Sequence, residues 1–249
     1  MPQRTLSTFV TSLRARWLRE LAPFAVLALI AAMLGIFRKI ADEVMDGQTH
    51  AFDEAILRAL RNPGDLADPI GPAWLELAMR DLTSLGSFTV VALLTLVAIG
   101  YLVIDGKRAA ALFVLVAIAG GVVLSEGLKH LFGRPRPDLV AHLVEVQTAS
   151  FPSGHAMLSA VTFLTLGALL AGTQGRRRLK AYVISVAILL TLMTGASRVY
   201  LGVHWPTDVL AGWCAGAAWA MGCWLLATWL QSRGQIEQPD RNGRSGGFG

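Results

Sequence analysis

Charged residues are scarce in this sequence. Only 16% of its 249 residues are charged, whereas 54% are hydrophobic and the mean hydropathy is +0.53. Soluble domains carry about 25% charged residues, so the composition excludes that class and indicates an integral membrane protein. The net charge of +5 comes from short basic clusters beside apolar stretches and not from one basic face, which argues against a nucleic-acid partner.

Cysteine is almost absent as well. Cys214 and Cys223 lie nine residues apart in one apolar stretch, which places them on opposite faces of a helix, about 13 Å apart along its axis. They cannot form a disulfide with each other. No cluster of cysteine and histidine has the spacing of a metal site, so the sequence predicts neither a bound metal nor another cofactor.

Long apolar stretches, by contrast, are abundant. Each of six such stretches is near the length needed to cross about 30 Å of hydrocarbon as a helix. They lie at about 21–37, 88–104, 109–128, 155–172, 181–196 and 209–230. The fold class predicted is an all-α bundle of six transmembrane helices, in which the first stretch is a retained anchor because it is longer than the core of a signal peptide.

Two polar segments complete the predicted organisation. Within 38–87, apolar and charged residues alternate at helical spacing between Phe52 and Arg61, with Asp53 on the polar face, which predicts a short amphipathic helix lying at the membrane surface in the first outer loop. The polar, glycine-rich end predicts a disordered cytoplasmic tail at 231–249 after a membrane domain at 1–230.

Gly212 and Gly216 form a GxxxG pattern, for which packing within one bundle is favoured over dimerisation. The oligomeric state stays open.

Basic residues predict the orientation in the membrane. Four precede residue 21 and four lie in 173–180, whereas 38–87 has five basic against nine acidic residues. The positive-inside rule therefore puts both termini in the cytoplasm and places 38–87, 129–154 and 197–208 on the outer side.

Three segments on that outer side carry unusual polar groups. They read KHLFGRPRP from residue 129, FPSGH from 151 and SRVYLGVHWPTD from 197. Each polar residue alone is compatible with a helix cap or an interfacial side chain. Together they bring three cations, two histidines and a carboxylate to one side of the membrane, which indicates a functional site.

The spacing of His204 and Asp208 predicts an activated imidazole. The two are at positions i and i+4, and Pro206 between them suits the first turn of a helix, so Asp208 can accept one ring N–H and leave the other nitrogen exposed. A histidine held in this way has the fixed tautomer that a nucleophile requires. His155 is then free to donate a proton to a leaving group.

The remaining polar groups predict the substrate. Lys129, Arg136 and Arg198 can neutralise a dianion and the charge that develops during phosphoryl transfer. The backbone N–H groups of Ser153 and Gly154 lie at a predicted helix N-terminus, where anions bind. A phosphate group fits this set.

These segments resemble the three signature motifs of the type-2 phosphatidic acid phosphatase superfamily, K-x6-R-P, P-S-G-H and S-R-x5-H-x3-D, with every signature position filled. The resemblance implies that His204 forms a phosphohistidine, that Asp208 orients it, and that His155 is the general acid and later the base. It also implies a reaction without a metal and a phosphate site made of Lys129, Arg136, Ser153, Gly154 and Arg198. Arg134 is an additional cation without a predicted role, and Glu126 is placed to pair with Lys129.

The function expected is a lipid phosphate phosphatase whose substrate keeps its tail in the bilayer. The motifs leave open whether the substrate is a prenyl pyrophosphate, phosphatidylglycerophosphate or phosphatidic acid. Two alternatives are a phosphatase or phosphotransferase acting on a soluble ester or on lipid A, and a non-catalytic lipid-binding or transport protein, although such a protein would be expected to have lost a catalytic residue. In a bacterium, the expected location is the inner membrane with a periplasmic site.

Overall fold

A computed structural model describes residues 3–144 and 148–235 of the protein, with side chains from residue 21 onward. The described part is almost entirely helical. Its helices are α1 (Gln3–Met45), α2 (His50–Ala59), α3 (Ala73–Ser84), α4 (Phe88–Ile104), α5 (Arg108–Phe132), α6 (Gly154–Thr173), α7 (Arg177–Tyr200) and α8 (Pro206–Ser232). A two-stranded antiparallel sheet, β1 (Arg61–Asn62) and β2 (Asp65–Pro69), joins α2 to α3. Most of the predicted tail at 231–249 lies outside the described residues.

The six-span prediction is confirmed. Among the described residues, α5, α6, α7, α8 and the part Leu21–Met45 of α1 are each long and apolar enough to cross a membrane, and α3 with α4, bent by 52° at the break between them, count as a sixth span when taken together. The predicted stretch 88–104 coincides with α4. Neither α3 nor the small sheet was predicted, because both lie in the mixed polar sequence between the first two spans.

Helix α6 is the centre of the bundle and packs against α5, α7 and α8. Its close approach to α8 depends on the predicted GxxxG pattern: a Cβ atom at Gly212 would lie 2.7 Å from the Ser153 carbonyl oxygen, and one at Gly216 would lie 2.8 Å from the Ala160 Cβ. The two glycines therefore serve packing within the chain, as predicted, and they bring the start of α8 next to the start of α6.

Helix α2 has the predicted position and amphipathic pattern, but the prediction that Asp53 lies on its polar face is wrong. Asp53 and Leu57 are both fully buried, and Phe52 is exposed. Leu57 packs with Val199, Trp205 and other apolar residues at the ends of α6, α7 and α8. Helix α2 is therefore docked onto the bundle, and a buried carboxylate at Asp53 requires polar partners there.

Candidate active site

The three predicted motifs meet at one end of the bundle, where α5 and α7 end and α6 and α8 begin; we call this the site end. Gly133 ends α5 with φ of 58°, a left-handed conformation that favours glycine, and so turns the chain after Lys129. Phe151 is fully buried against Phe132, with ring centroids 5.0 Å apart. This contact fixes the segment that leads into α6.

A cavity of about 310 Å³ opens at the site end. Six of the eight predicted site residues line it: Lys129, Arg136, Gly154, His155, Arg198 and His204. The other lining residues are Thr83, Ser84, Ser87, Val144 and Thr148, so the described part of the lining contains three cations and no carboxylate. This electrostatic environment suits an anion.

His204 is held with one nitrogen toward the cavity and the other away from it. Its Nε2 lies 3.2 Å from Arg136 Nη1, and because a guanidinium only donates hydrogen bonds, Nε2 must be the acceptor. The proton of the neutral ring is then on Nδ1, which lies 3.4 Å from Asp208 Oδ2 and 3.3 Å from Ser150 Oγ. The lone pair needed for nucleophilic attack therefore faces the cavity.

Asp208 lies behind His204 and is fully buried. It is the third residue of α8, and its Oδ2 accepts a hydrogen bond of 3.0 Å from the N–H of Trp205 at the helix N-cap. The Ser150 hydroxyl donates to the same oxygen, and Arg134 Nη1 donates to Oδ1 at 2.6 Å. The carboxylate is thus fixed in position by donors on both oxygens.

The three predicted cations are held by different parts of the chain. Arg136 donates to the carbonyl oxygens of Thr148 and Val203 at 2.8 and 2.7 Å. Lys129 forms the predicted pair with Glu126 at 2.9 Å. Arg198 donates from Nη1 to Thr83 Oγ1 at 2.9 Å, while its buried Nε has no hydrogen-bond partner among the described residues. Arg198 therefore keeps a donor available for an anion.

Ser153 and Gly154 differ in what they offer. The prediction that the Ser153 backbone N–H points at the substrate is wrong, since that group donates to the Asp208 carbonyl oxygen at 3.0 Å. The Ser153 hydroxyl is instead buried without a partner in the described residues. Gly154 is the first residue of α6 and lines the cavity next to Lys129: a Cβ at Gly154 would lie 2.9 Å from Lys129 Nζ, so a larger residue would require that side chain to move.

His155, on the first turn of α6, is packed by the turn between α3 and α4. A Cβ atom at Gly86 would lie 2.8 Å from the His155 carbonyl oxygen, so only glycine allows this approach. The segment 38–87 thereby contributes Thr83, Ser84 and Ser87 to the cavity.

The residues of this site that were missed from the sequence include Thr83, Ser84, Ser87, Val144 and Thr148 in the cavity lining, and Asp53, Arg134 and Ser150 behind it. Ser150 directly precedes FPSGH and Arg134 lies within the first motif, so their neighbourhood was a signal. Asp53 and Thr83 are more than 70 residues from the partners they bond, Arg134 and Arg198, and nothing in the sequence marks them.

The stability of the protein should depend on pH through His204. Burial, followed by the positive charges of Arg198, Arg136 and Lys129, holds the pKa of His204 well below 6.5. The folded protein then keeps this ring neutral while the unfolded chain binds a proton, so the stability it contributes is present above pH 6.5 and is lost at about 1.4 kcal/mol per pH unit as the pH falls toward the folded pKa.

A His204→Gln variant has no such titrating group. We expect the thermal midpoint of the wild-type protein in detergent to fall relative to that of the variant as the pH is lowered from 6.5 to 5. Parallel pH profiles of the two proteins would contradict this.

Comparison with known proteins shows that residues 110–232 match the family described as the PAP2 superfamily. The chain is 31% identical to phosphatidylglycerophosphatase B of Bacillus subtilis over 72% of its own length and 85% of that protein. It is 29% identical to an undecaprenyl-diphosphatase of Sulfolobus acidocaldarius, over 55% of its length and 63% of that protein. A crystal structure of a transmembrane PAP2-type phosphatidylglycerolphosphate phosphatase from Bacillus subtilis matches 81% of the chain and 96% of its own, with 27% identity and a TM-score of 0.72.

Proposed function

Because this chain belongs to the PAP2 superfamily, we propose that it hydrolyses a phosphate monoester or pyrophosphate of a membrane lipid through a phosphohistidine on His204. The observation that carries this proposal is the tautomer of His204, whose Nδ1–H faces Asp208 while its Nε2 lone pair faces a cavity lined by cations. An imidazole in this state attacks an electrophile without first losing a proton.

The reaction proceeds in two displacements. In the first, Nε2 of His204 forms a bond to phosphorus as the bond from phosphorus to the leaving oxygen breaks, and protonated His155 gives its proton to that oxygen. In the second, His155 accepts a proton from water while the water oxygen attacks phosphorus and the N–P bond breaks. Inorganic phosphate leaves, and both histidines return to their starting states.

The phosphate-binding groups neutralise the substrate before the attack. Lys129, Arg136 and Arg198 meet the negative charge of the phosphate, and the transition state spreads that charge over oxygens which the same cations contact. The Gly154 N–H at the start of α6 supplies a further donor in the cavity lining. Phosphate must displace Arg136 from Nε2, a change that exposes the nucleophile only when the anion is bound.

The lipid nature of the substrate is supported by the place of the cavity at the end of an apolar helix bundle, and by relatives named as phosphatidylglycerophosphatase and undecaprenyl-diphosphatase. The basic clusters at the opposite ends of the helices support a site on the outer face with both termini in the cytoplasm, in a bacterial inner membrane. Alkaline phosphatase fused to the C-terminus is active only after export, so it should be inactive in this orientation.

A substrate panel tests the function. We expect the purified protein to release inorganic phosphate from at least one of phosphatidylglycerophosphate, a prenyl pyrophosphate, phosphatidic acid and lipid A, at equal rates with and without EDTA. Hydrolysis of p-nitrophenyl phosphate alone would refute the lipid substrate, and loss of turnover in EDTA would refute the metal-independent reaction.

A further inference from the structure

A buried guanidinium joins the carboxylate behind the nucleophile to a second carboxylate that no signature motif contains. Arg134 donates from Nη1 to Asp208 Oδ1 at 2.6 Å and from Nη2 to Asp53 Oδ2 at 2.8 Å. Asp53 and Asp208 are fully buried and Arg134 is 8% exposed. Arg134 does not line the cavity, so it reaches the reaction only through Asp208.

Asp53 is bound on both of its oxygens. Its Oδ1 accepts the backbone N–H of Thr207 at 3.0 Å, and its Oδ2 accepts the Thr207 hydroxyl at 2.7 Å. Arg134 completes the ring by donating to Thr207 Oγ1 at 2.9 Å. Helix α2 is thereby bonded to the first turn of α8, one residue before Asp208.

Attachment of α2 alone would not require these charges. The apolar contact of Leu57 already docks the helix, and buried ion pairs are often no more stabilising than apolar residues of the same size. The buried charges at this place therefore need a further explanation, and their direct hydrogen bond to the carboxylate behind the nucleophile offers one.

The charge balance of the network identifies that role. Two carboxylates and one guanidinium leave a net charge of −1 beside His204, and attack by Nε2 puts a positive charge on the imidazole that this −1 stabilises. Without Asp53, Arg134 would neutralise Asp208, and the network would have no net charge at the moment when the histidine becomes positive.

We propose that Arg134 and Asp53 are positioning residues for the phosphoryl transfer: Arg134 fixes the orientation of Asp208, and Asp53 offsets the charge of Arg134 so that Asp208 still stabilises the imidazolium. This inference rests on the proposed function of His204 as the nucleophile.

The test compares two variants that differ in net charge. Asp53→Asn keeps the shape of the side chain but leaves the network neutral. We expect kcat for lipid phosphate hydrolysis to fall by about 10- to 100-fold, by analogy with the range found when the outer partners of metal-binding histidines are removed. KM should change by less than about threefold, since the substrate contacts are untouched. Adding Arg134→Gln to Asp53→Asn restores the network charge of −1. The kcat of the double variant should therefore be about tenfold higher than that of Asp53→Asn, or more.

A purely structural role predicts the opposite order, because each substitution then removes a further bond and the double variant would be slower than Asp53→Asn. That order would overturn the proposal, and so would an unchanged kcat in Asp53→Asn or a loss confined to KM. The matched control is Glu54→Gln, which removes a carboxylate from the adjacent residue of α2. Glu54 is half-exposed and its side chain lies 3.8 Å from that of Arg58, so this substitution should leave kcat unchanged. Thermal midpoints show whether the variants fold, and if only the double variant does not, the kcat and KM of Asp53→Asn against Glu54→Gln decide.

Oxygen exchange separates failure of this inference from failure of the proposed lipid substrate. Reversible phosphorylation of His204 by inorganic phosphate exchanges ¹⁸O between phosphate and water without any lipid. If the wild-type protein exchanges oxygen but hydrolyses no lipid, the substrate is wrong and the same variants are ranked by exchange rate. If it hydrolyses lipid and Asp53→Asn exchanges at the wild-type rate, the positioning role is wrong.

Discussion

Replacing His204 by alanine should lower kcat by at least about 10⁴-fold while the protein still folds, the size of loss seen when a nucleophile that works as part of a unit is removed. The side chain is buried at the back of the cavity, and no other described group there combines a nitrogen lone pair directed into the cavity with a bonded carboxylate. His155 lines the same cavity, but Asp208 orients only His204. A substitute nucleophile is therefore not available.

Rapid-quench trapping with radiolabelled substrate measures this result directly, because the wild-type protein should show acid-labile, base-stable phosphate on the chain and the His204→Ala variant none. His130→Ala is the matched control, since His130 is exposed on the last turn of α5 outside the cavity and should keep full turnover. Normal turnover or normal labelling in the His204→Ala variant would disprove nucleophilic attack by this residue.

The parts of this protein that the sequence predicts are those with local signals. The six spans follow from apolar length, and Gly133 and Pro206 mark a helix end and a helix start within one residue of where they occur. The pair of His204 and Asp208 follows from a spacing of four residues across that helix start. In each case, the residues that determine the structure are neighbours in the chain.

The parts that the sequence did not predict depend on distant contacts. Asp53 has the local pattern of a polar-face residue on an amphipathic helix, and distant partners make its burial possible: Arg134, 81 positions away, and Thr207, 154 positions away. The Ser153 N–H has the local pattern of a phosphate ligand, yet the approach of α8 gives it the Asp208 carbonyl as a partner. Local periodicity reports the preference of a segment for an environment, whereas a long-range polar partner can reverse that preference.

Asp208→Asn should be nearly as damaging as loss of the nucleophile, with kcat lowered by about 10³- to 10⁴-fold, as for the equivalent change in serine protease triads. Every hydrogen-bond partner described for the Asp208 carboxylate is a donor: the Trp205 N–H, the Ser150 O–H and the His204 Nδ1–H at Oδ2, and Arg134 at Oδ1. An asparagine must turn its NH₂ group toward one of these two sets of donors. If the NH₂ group faces His204, it donates to Nδ1, and the proton of the neutral ring is then on Nε2. In this tautomer Nε2 has no lone pair toward the cavity.

This outcome differs measurably from that of His204→Ala. The nucleophile is still present in Asp208→Asn, so phosphohistidine should form slowly and reach a detectable level, while KM stays close to that of the wild-type protein because the cavity lining is unchanged. The buried amide left facing donors should also lower stability by about 1–3 kcal/mol. Asp65→Asn, an exposed residue of β2, is the control for the substitution itself. Wild-type kcat in Asp208→Asn would show that the carboxylate neither fixes the tautomer nor stabilises the imidazolium, and would remove the basis for the roles of Arg134 and Asp53 as well.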